Sequence, residues 1–476
     1  MAEFAGKTLE GKWWRPDSPD DAFDGVLQLE EDFAGSLTIK GLASKLFAFR
    51  LPSSRTLFGR MRGHYQYDVT LFRTGMMRGP AIGSSSGGDH DSEMQLFTNT
   101  ILVGGHIDSE DEHVVSAALV RATGLDEWCD GSGFEGQMEM PSASFGTERV
   151  NLSYQGSASE FYPTGAGNAL RLVSHYRGPM FFHGPKDVIM REEDLIELRF
   201  DNDLSINQVL HEIGIWQSFI TFALRRPSYM DEIRLTLKES VEAPFGSTLL
   251  VPGRKNDISA KNRRRRDILF TRSALGDRIG MFIEAWRQNY TKIEMPVMLL
   301  TGTTYQSDAF LHSKLLACLQ ALEVLHRERH EGSRFSDNEA RRTTINALRS
   351  AIPGTLDPIL FDEISQQLGF VGELTLLDRL KYFFGLYPLT LRPLFPAGDS
   401  DMALLKDARN FLTHYGRGKE FNREFLESRK LLILAEKAQL FVEICFLGLL
   451  GMNDQEIVGM INRFEPYVNC RTTNHR

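Results

Sequence analysis

The chain has little cysteine, no unbroken apolar run of membrane length, no excess of positive charge and no glycine-rich phosphate loop. Its four cysteines, Cys129, Cys318, Cys445 and Cys470, are far apart and form no CxxC pair. That spacing excludes a disulfide framework and a cysteine-rich zinc site, and it fits a reducing cytoplasm. The opening MAEFAGKTLE lacks the basic stretch and apolar run of a secretory signal, so none is expected. The most apolar stretch, residues 431–452, is interrupted by Glu436, Lys437, Gln439 and Glu443. Charge at bilayer depth is costly, so this stretch predicts a buried core helix and no membrane partner. Net charge is −9 and the pI about 5.8, so any contact with nucleic acid is local rather than a general field effect. Walker A and GxGxxG sequences are both missing, which argues against nucleotide hydrolysis.

What is present is ordinary folded-protein material. With 42% hydrophobic and 25% charged residues, there is enough apolar surface to order most of the chain. A length of 476 residues exceeds what one core organises, so several packed units are expected. Up to about residue 200, short apolar runs alternate with glycine, asparagine and aspartate turns, as in GVLQLEEDFAGSLTIKG, the texture of antiparallel hairpins. Residues 204–224 carry an apolar period near 3.6 and predict a helix, and EIRLTLKES and STLLVPG predict further strands. Beyond about residue 300 the pattern becomes helical. Leu311, Leu315, Leu319 and Leu322 share a stripe, with Ser307 or Asp308 as the expected N-cap, and Ser336 with Glu339 has the form of a capping box. LLDRLKYFFGLY, DSDMALLKDARNFLTH and SRKLLILAEKAQLFVEICFLGLL add three helices, with prolines in the connections. The expected organisation is a β-rich region 1–300, with a subdomain break near 200, and an all-α bundle 301–476.

Several motif matches carry little. Gly83, Ser85 and Gly87 satisfy GxSxG, but GDHDSE follows where an esterase needs a helix. His326 and His330 share a helical face, yet Arg327 stands where a zincin has its glutamate. Asp89, His90 and Asp91 read as a solvated loop tip. The arginine run in NRRRRD, residues 262–267, is able to contact phosphate and equally keeps a hairpin loop soluble.

The stretch ARNFLTHYGRGKEF, residues 408–421, has more content. Asn410 and His414 lie about 40° apart around a helix, whereas Arg409 and His414 diverge by about 140°. Either Arg409 reaches around the helix or the helix ends near His414, and Gly416 and Gly418 favour an end there. A histidine in the last turn feels the negative end of the helix dipole. An imidazole near neutrality can take a proton from a ribose 2′-hydroxyl, a guanidinium can grip the adjacent phosphate at two points, and an amide can orient either group. Those are the parts of a ribonuclease that uses no metal. An exposed helix end with a capping histidine accounts for the same spacing.

Arg409, four residues and then His414, with Asn410 beside the arginine, resemble the HEPN ribonuclease motif. QALEVLHR, residues 320–327, resembles the same part of ApeA-like HEPN proteins, and GKWWRPDSPDDAFDGVLQLE and residues 101–135 are similar to the β-rich N-terminal domain that accompanies it. The resemblance implies an α+β multidomain protein, its β-rich domain an antiparallel sandwich or barrel with some helices, followed by a HEPN bundle. It further implies a cytoplasmic antiphage ribonuclease toxin that works by abortive infection. Such an enzyme needs neither metal nor other cofactor and leaves a 2′,3′-cyclic phosphate. His414 would act on the 2′-hydroxyl or the leaving oxygen, Arg409 on the phosphorane charge, and Asn410 would position one of them. Glu323 faces the bundle by periodicity and is expected to hold Arg409 or His414, or to be a structural carboxylate paired with arginine; His326 is a further accessory candidate. Tyr415, Arg417 and Lys419 are candidate RNA contacts or ordinary surface beyond a helix end. The implied partners are RNA, tRNA included, a phage-encoded trigger and a second copy of the chain. The alternative is an inert HEPN dimerisation or RNA-binding module joined to a ligand-binding β-domain.

Overall fold

In the computed structural model the described residues are 4–49, 51, 55–62, 66–79, 91–139, 149–181, 188–238, 245–252, 265–306, 310–330, 332–335, 337–414 and 429–472. The chain divides into two compact units. One comprises Met1–Arg264 with Phe270–Gln288, the other Arg265–Leu269 with Asn289–Arg476.

Period-two alternation builds the first unit. Its strands are β1 (Thr8–Arg15), β2 (Ser18–Leu29), β3 (Gly35–Leu42), β4 (Leu57–Met61), β5 (Tyr67–Phe72), β6 (Gly75–Arg78), β7 (Asp91–Thr98) and β8 (Thr100–Val103). There follow β9 (Val115–Ala122), β10 (Phe134–Glu139), β11 (Arg149–Tyr154), β12 (Tyr162–Gly165), β13 (Asn168–Phe181), β14 (Val188–Leu204), β15 (Met230–Leu237) and β16 (Ser247–Leu250). Apart from the β10–β11 hairpin they form one antiparallel sheet of 14 strands in the order β12-β13-β14-β9-β15-β16-β8-β5-β4-β1-β2-β3-β7-β6. Residue 200 lies inside β14, where the pairing with β9 shifts register between Arg199 and Leu204.

The chain passes from β7 to β8 through the single residue Asn99, yet five strands stand between them in the ladder. A flat sheet cannot satisfy both facts, because six strand spacings would set β7 and β8 about 29 Å apart. The sheet therefore curls until β7 meets β8, and Thr98 of β7 donates its hydroxyl to the Phe72 carbonyl at the end of β5. The enclosed side chains, including Trp13, Leu27, Leu37, Ile39, Val69, Met94, Leu96 and Ile101, form a barrel-like core, each large apolar group contributing roughly 1.5–3 kcal/mol by burial. On the other half of the sheet lies helix α1 (Ile206–Leu224), opened by a Ser205–Gln208 capping box. Its Phe219 and Phe222 pack with Trp286 and Phe270.

The second unit is helical. Helix α2 (Ile279–Tyr305) starts in the first unit, passes to the second after Gln288 and continues past residue 300 with Pro296 inside it. After it come α3 (Leu311–Arg329), α4 (Asn338–Ser350), α5 (Pro358–Leu368), α6 (Leu376–Leu386), α7 (Asp399–His414) and α8 (Arg429–Leu449). Two expected caps differ. Helix α3 begins behind Phe310, which offers no side-chain bond, while Ser307 and Asp308 lie outside the described residues. At α4 the N-cap is Asp337, whose carboxylate accepts from the Ala340 N–H at 2.7 Å. Glu339 then falls one position short of where a capping box needs it, and Ser336 lies outside the described residues. Helix α3 packs against α8, and α7 against α6 and α3. Helix α8 is buried on nearly every side, Glu443 and Gln439 included, and these two bond each other at 2.7 Å. It is the core helix its interrupted apolar run predicts. No described helix is long and apolar enough to cross a membrane.

Candidate active site

Three helices contribute to the candidate site. Helix α7 carries Arg409 and Asn410 and runs to His414; the His414 side chain, and Tyr415, Arg417 and Lys419 entirely, lie outside the described residues. The two apolar positions Leu405 and Ala408 are buried, which turns Arg409 toward the edge of the bundle, where 37% of its side chain remains exposed. Its Nη2 lies 3.9 Å from Oε2 of Glu323 on α3. That is an ion pair without a hydrogen bond. Among the described residues, the hydrogen bond the guanidinium makes is a long one, Nη1 to Oδ1 of Asn410 at 3.3 Å. A planar donor fork, partly wet and loosely held, can accept a phosphate. Thr413 donates its hydroxyl back to the Arg409 carbonyl at 2.7 Å, tightening the last turn before His414.

Glu323 is 19% exposed and accepts from Arg327 Nη2, one turn on, at 2.8 Å. It thus stands between two arginines, and its charge also acts on a third, Arg379 of α6. Arg379 is buried and donates Nε–H to the Leu374 carbonyl at 3.2 Å. Burial, then the charge of Arg327, lowers its pKa. Its Nη1 meets Nδ1 of His326 at 2.9 Å, and since an arginine only donates, that nitrogen is the acceptor of a neutral imidazole. Burial, and then the Arg379 charge, push the His326 pKa down to about 4. His326 is therefore engaged with Arg379 beneath the surface, against the edges of Tyr382 and Phe383. His330, 4.9 Å from His326 ring to ring, also has its pKa lowered, by burial and then by Arg329.

Sequence reading missed Arg379 and Tyr382. The signal was available for the first: Arg379 sits on the Leu376, Leu380 and Phe383 stripe, where a charge needs a buried partner.

The other motif residues fall elsewhere. The GxSxG positions, Asp89 and His90 lie outside the described residues, as do Asn262, Arg263 and Arg264; Arg265–Asp267 form a 3-10 turn. Asp91 lines an open polar groove of about 630 Å³ with Asp24, Lys40, Arg78, Ser92 and Glu93. Its charges are partly paired, Lys40 with Glu93 at 3.2 Å and Asp24 with Arg62 at 3.3 Å. Among the described residues no group of three or more histidine, cysteine, aspartate or glutamate side chains is placed to hold a metal ion.

Residues 8–286, more than half of the chain, match the family described as ApeA N-terminal domain 1, and residues 316–456 match Apea-like HEPN. The chain belongs to the ApeA family. Its HEPN match covers all of α4 to α8 and most of α3, and so holds Glu323, His326, Arg379, Arg409, Asn410 and His414 together. No curated protein and no solved structure matched this ApeA-family chain.

Proposed function

We propose that the chain is a metal-independent HEPN endoribonuclease that protects bacteria from phage by cutting cellular RNA in the cytoplasm. The observation that carries this reading is Arg409, partly exposed beside Asn410 and facing Glu323 of the neighbouring helix, on a helix that ends its described course at His414. Family membership supports the same reading.

In the proposed reaction the ribose 2′-oxygen attacks the adjacent phosphorus, the bond to the 5′-oxygen breaks, and a 2′,3′-cyclic phosphate remains. The proton leaves the 2′-hydroxyl and a proton reaches the 5′-oxygen, with His414 serving one of these transfers. Arg409 neutralises the extra charge on the five-coordinate phosphorus, and Asn410 positions the arginine or the phosphate. Glu323 aims Arg409, and His326 supports it through Arg379. Tyr415, Arg417 and Lys419 hold the RNA beyond the helix end. Two copies pair so that both motifs line one cleft. The β-rich part ahead of residue 300 senses a phage component or restrains the nuclease after it. An acidic chain that binds RNA locally favours a substrate chosen by shape, such as tRNA.

Bacteria expressing the wild type, Arg409→Ala or His414→Ala are grown with and without phage, and total RNA is run on denaturing gels. Protection and new fragments ending in cyclic phosphate are expected with the wild type alone. Equal protection by both variants would sink the reading and move the function to the β-rich unit.

A further inference from the structure

Between α3 and α6 the chain leaves the bundle and returns. Residues 332–374 hold α4 and α5, and their two ends are stapled: Ser333 and Glu373 form an antiparallel bridge, Arg334 N–H donates to the Gly372 carbonyl at 2.7 Å, and Leu374 N–H to the Gly332 carbonyl at 2.9 Å. Gly372 turns there at φ +84°, and a Cβ in its place would run into the Phe335 ring. The base of this arm is thus built.

Its length is not covered. No described residue of 332–374 is buried, although the arm is rich in apolar groups. Ile359 is 71% and Phe370 68% exposed, with Leu348, Leu360 and Phe361 also open. Helices of 13 and 11 residues are marginal unless an apolar face is buried. Both are well capped, by Asp337 and by Asp357 with Pro358 following it, so local order is provided and only a cover is missing.

Charge indicates the cover. Helix α4 carries Arg341, Arg342 and Arg349 against one acid, Glu339; α5 carries Asp362 and Glu363 with no base, behind Asp357. Arg341 and Arg349 donate to the carbonyls of Gly369 and Ser365, and among the described residues Arg342, Asp362 and Glu363 enter no ion pair. An arm with one basic and one acidic helix is complementary to itself turned by a two-fold axis. We propose that residues 332–374 are a homotypic docking arm, with α4 packing on α5 of a second copy of this chain to make four helices around the exposed apolar groups. The acidic helix disfavours RNA as the occupant. Two helices about 20 and 16 Å long, side by side, offer a footprint of about 400 Å², below the roughly 800 Å² per partner of a stable interface. The pairing is therefore weak and concentration-dependent. It does not rest on the nuclease reading and uses a surface apart from the α7 ends.

The test is sedimentation velocity of the full chain over a wide range of concentration, for the wild type, Ile359→Asp with Phe370→Asp, Arg342→Glu, Glu363→Arg, and the last two combined. All the positions are exposed, and circular dichroism checks the fold. The wild type is expected to gain mass with concentration, the apolar pair and each single charge reversal to weaken that association by about tenfold or more, and the combined reversal to restore it. Association unchanged by the apolar pair, none at any concentration, or a combined reversal no better than the singles overturns the proposal. RNA cleavage measured on the same samples reports separately on the nuclease reading.

Discussion

Arg409 and Glu323 face each other across two helices at 3.9 Å, close enough for attraction and too far for a hydrogen bond. The arginine is held in direction but keeps its donors for something else.

Because both side chains are partly wet, their pairing contributes little, and Glu323→Gln should slow RNA cleavage by no more than about fivefold. Arg409→Lys should cost about a hundredfold, since a point charge does not replace a two-point donor fork. Single-turnover rates on a defined RNA check both, and a Glu323→Gln loss as large as that of Arg409→Lys would make the glutamate a reacting group.

His326 sets a pH dependence of stability. Its folded pKa of about 4 lies below its ordinary 6.5, so the unfolded chain binds the proton more readily. The stability held by the neutral ring is complete above pH 6.5 and is lost as pH falls toward about 4, by up to about 3 kcal/mol. His330 acts in the same direction. Urea midpoints of the wild type and His326→Gln should converge through this window, and parallel curves would count against the assignment.

Gly448 of α8 approaches the Tyr387 hydroxyl so closely that a Cβ there would overlap it and the ring carbon bearing it. Gly448→Ala should destabilise the helical unit by about 1–3 kcal/mol, read as a lower melting temperature. Adding Tyr387→Phe should recover part of the loss.

All four cysteines are free and buried, and burial pushes the Cys129 and Cys445 thiols well above their usual range. The native chain should therefore resist a charged thiol reagent, and the unfolded chain should take four labels by mass spectrometry.

Much of this was legible in the sequence because it is local. The apolar stripe of α3, the interrupted run of α8 and the apolar period of α1 each lie within about 20 residues. The shift from Ser336 to Asp337 at the start of α4 shows the limit of such reading, since adjacent serine and aspartate both cap. Closure of the barrel was not legible. It depends on β7 coming round to β5, where Thr98 reaches the Phe72 carbonyl, and period-two patterning says which face is apolar but not which strand is the neighbour. Around Arg409, the place of Arg409 and Asn410 near the end of α7 follows from local periodicity, whereas the bond of His326 to Arg379 joins residues 53 apart in the chain.

Long-range packing also sets an order of events on the ribosome. Leu250 of β16 is the last residue in the chain to join the barrel-like core, so that core is incomplete until it has emerged. Roughly 160 residues still separate it from the end of α7. At about 5–20 residues per second the interval is about ten to thirty seconds. The barrel-like core thus has time to form before the helix bearing Arg409 exists, and a newly made copy meets the cell with that core in place ahead of its proposed cutting part.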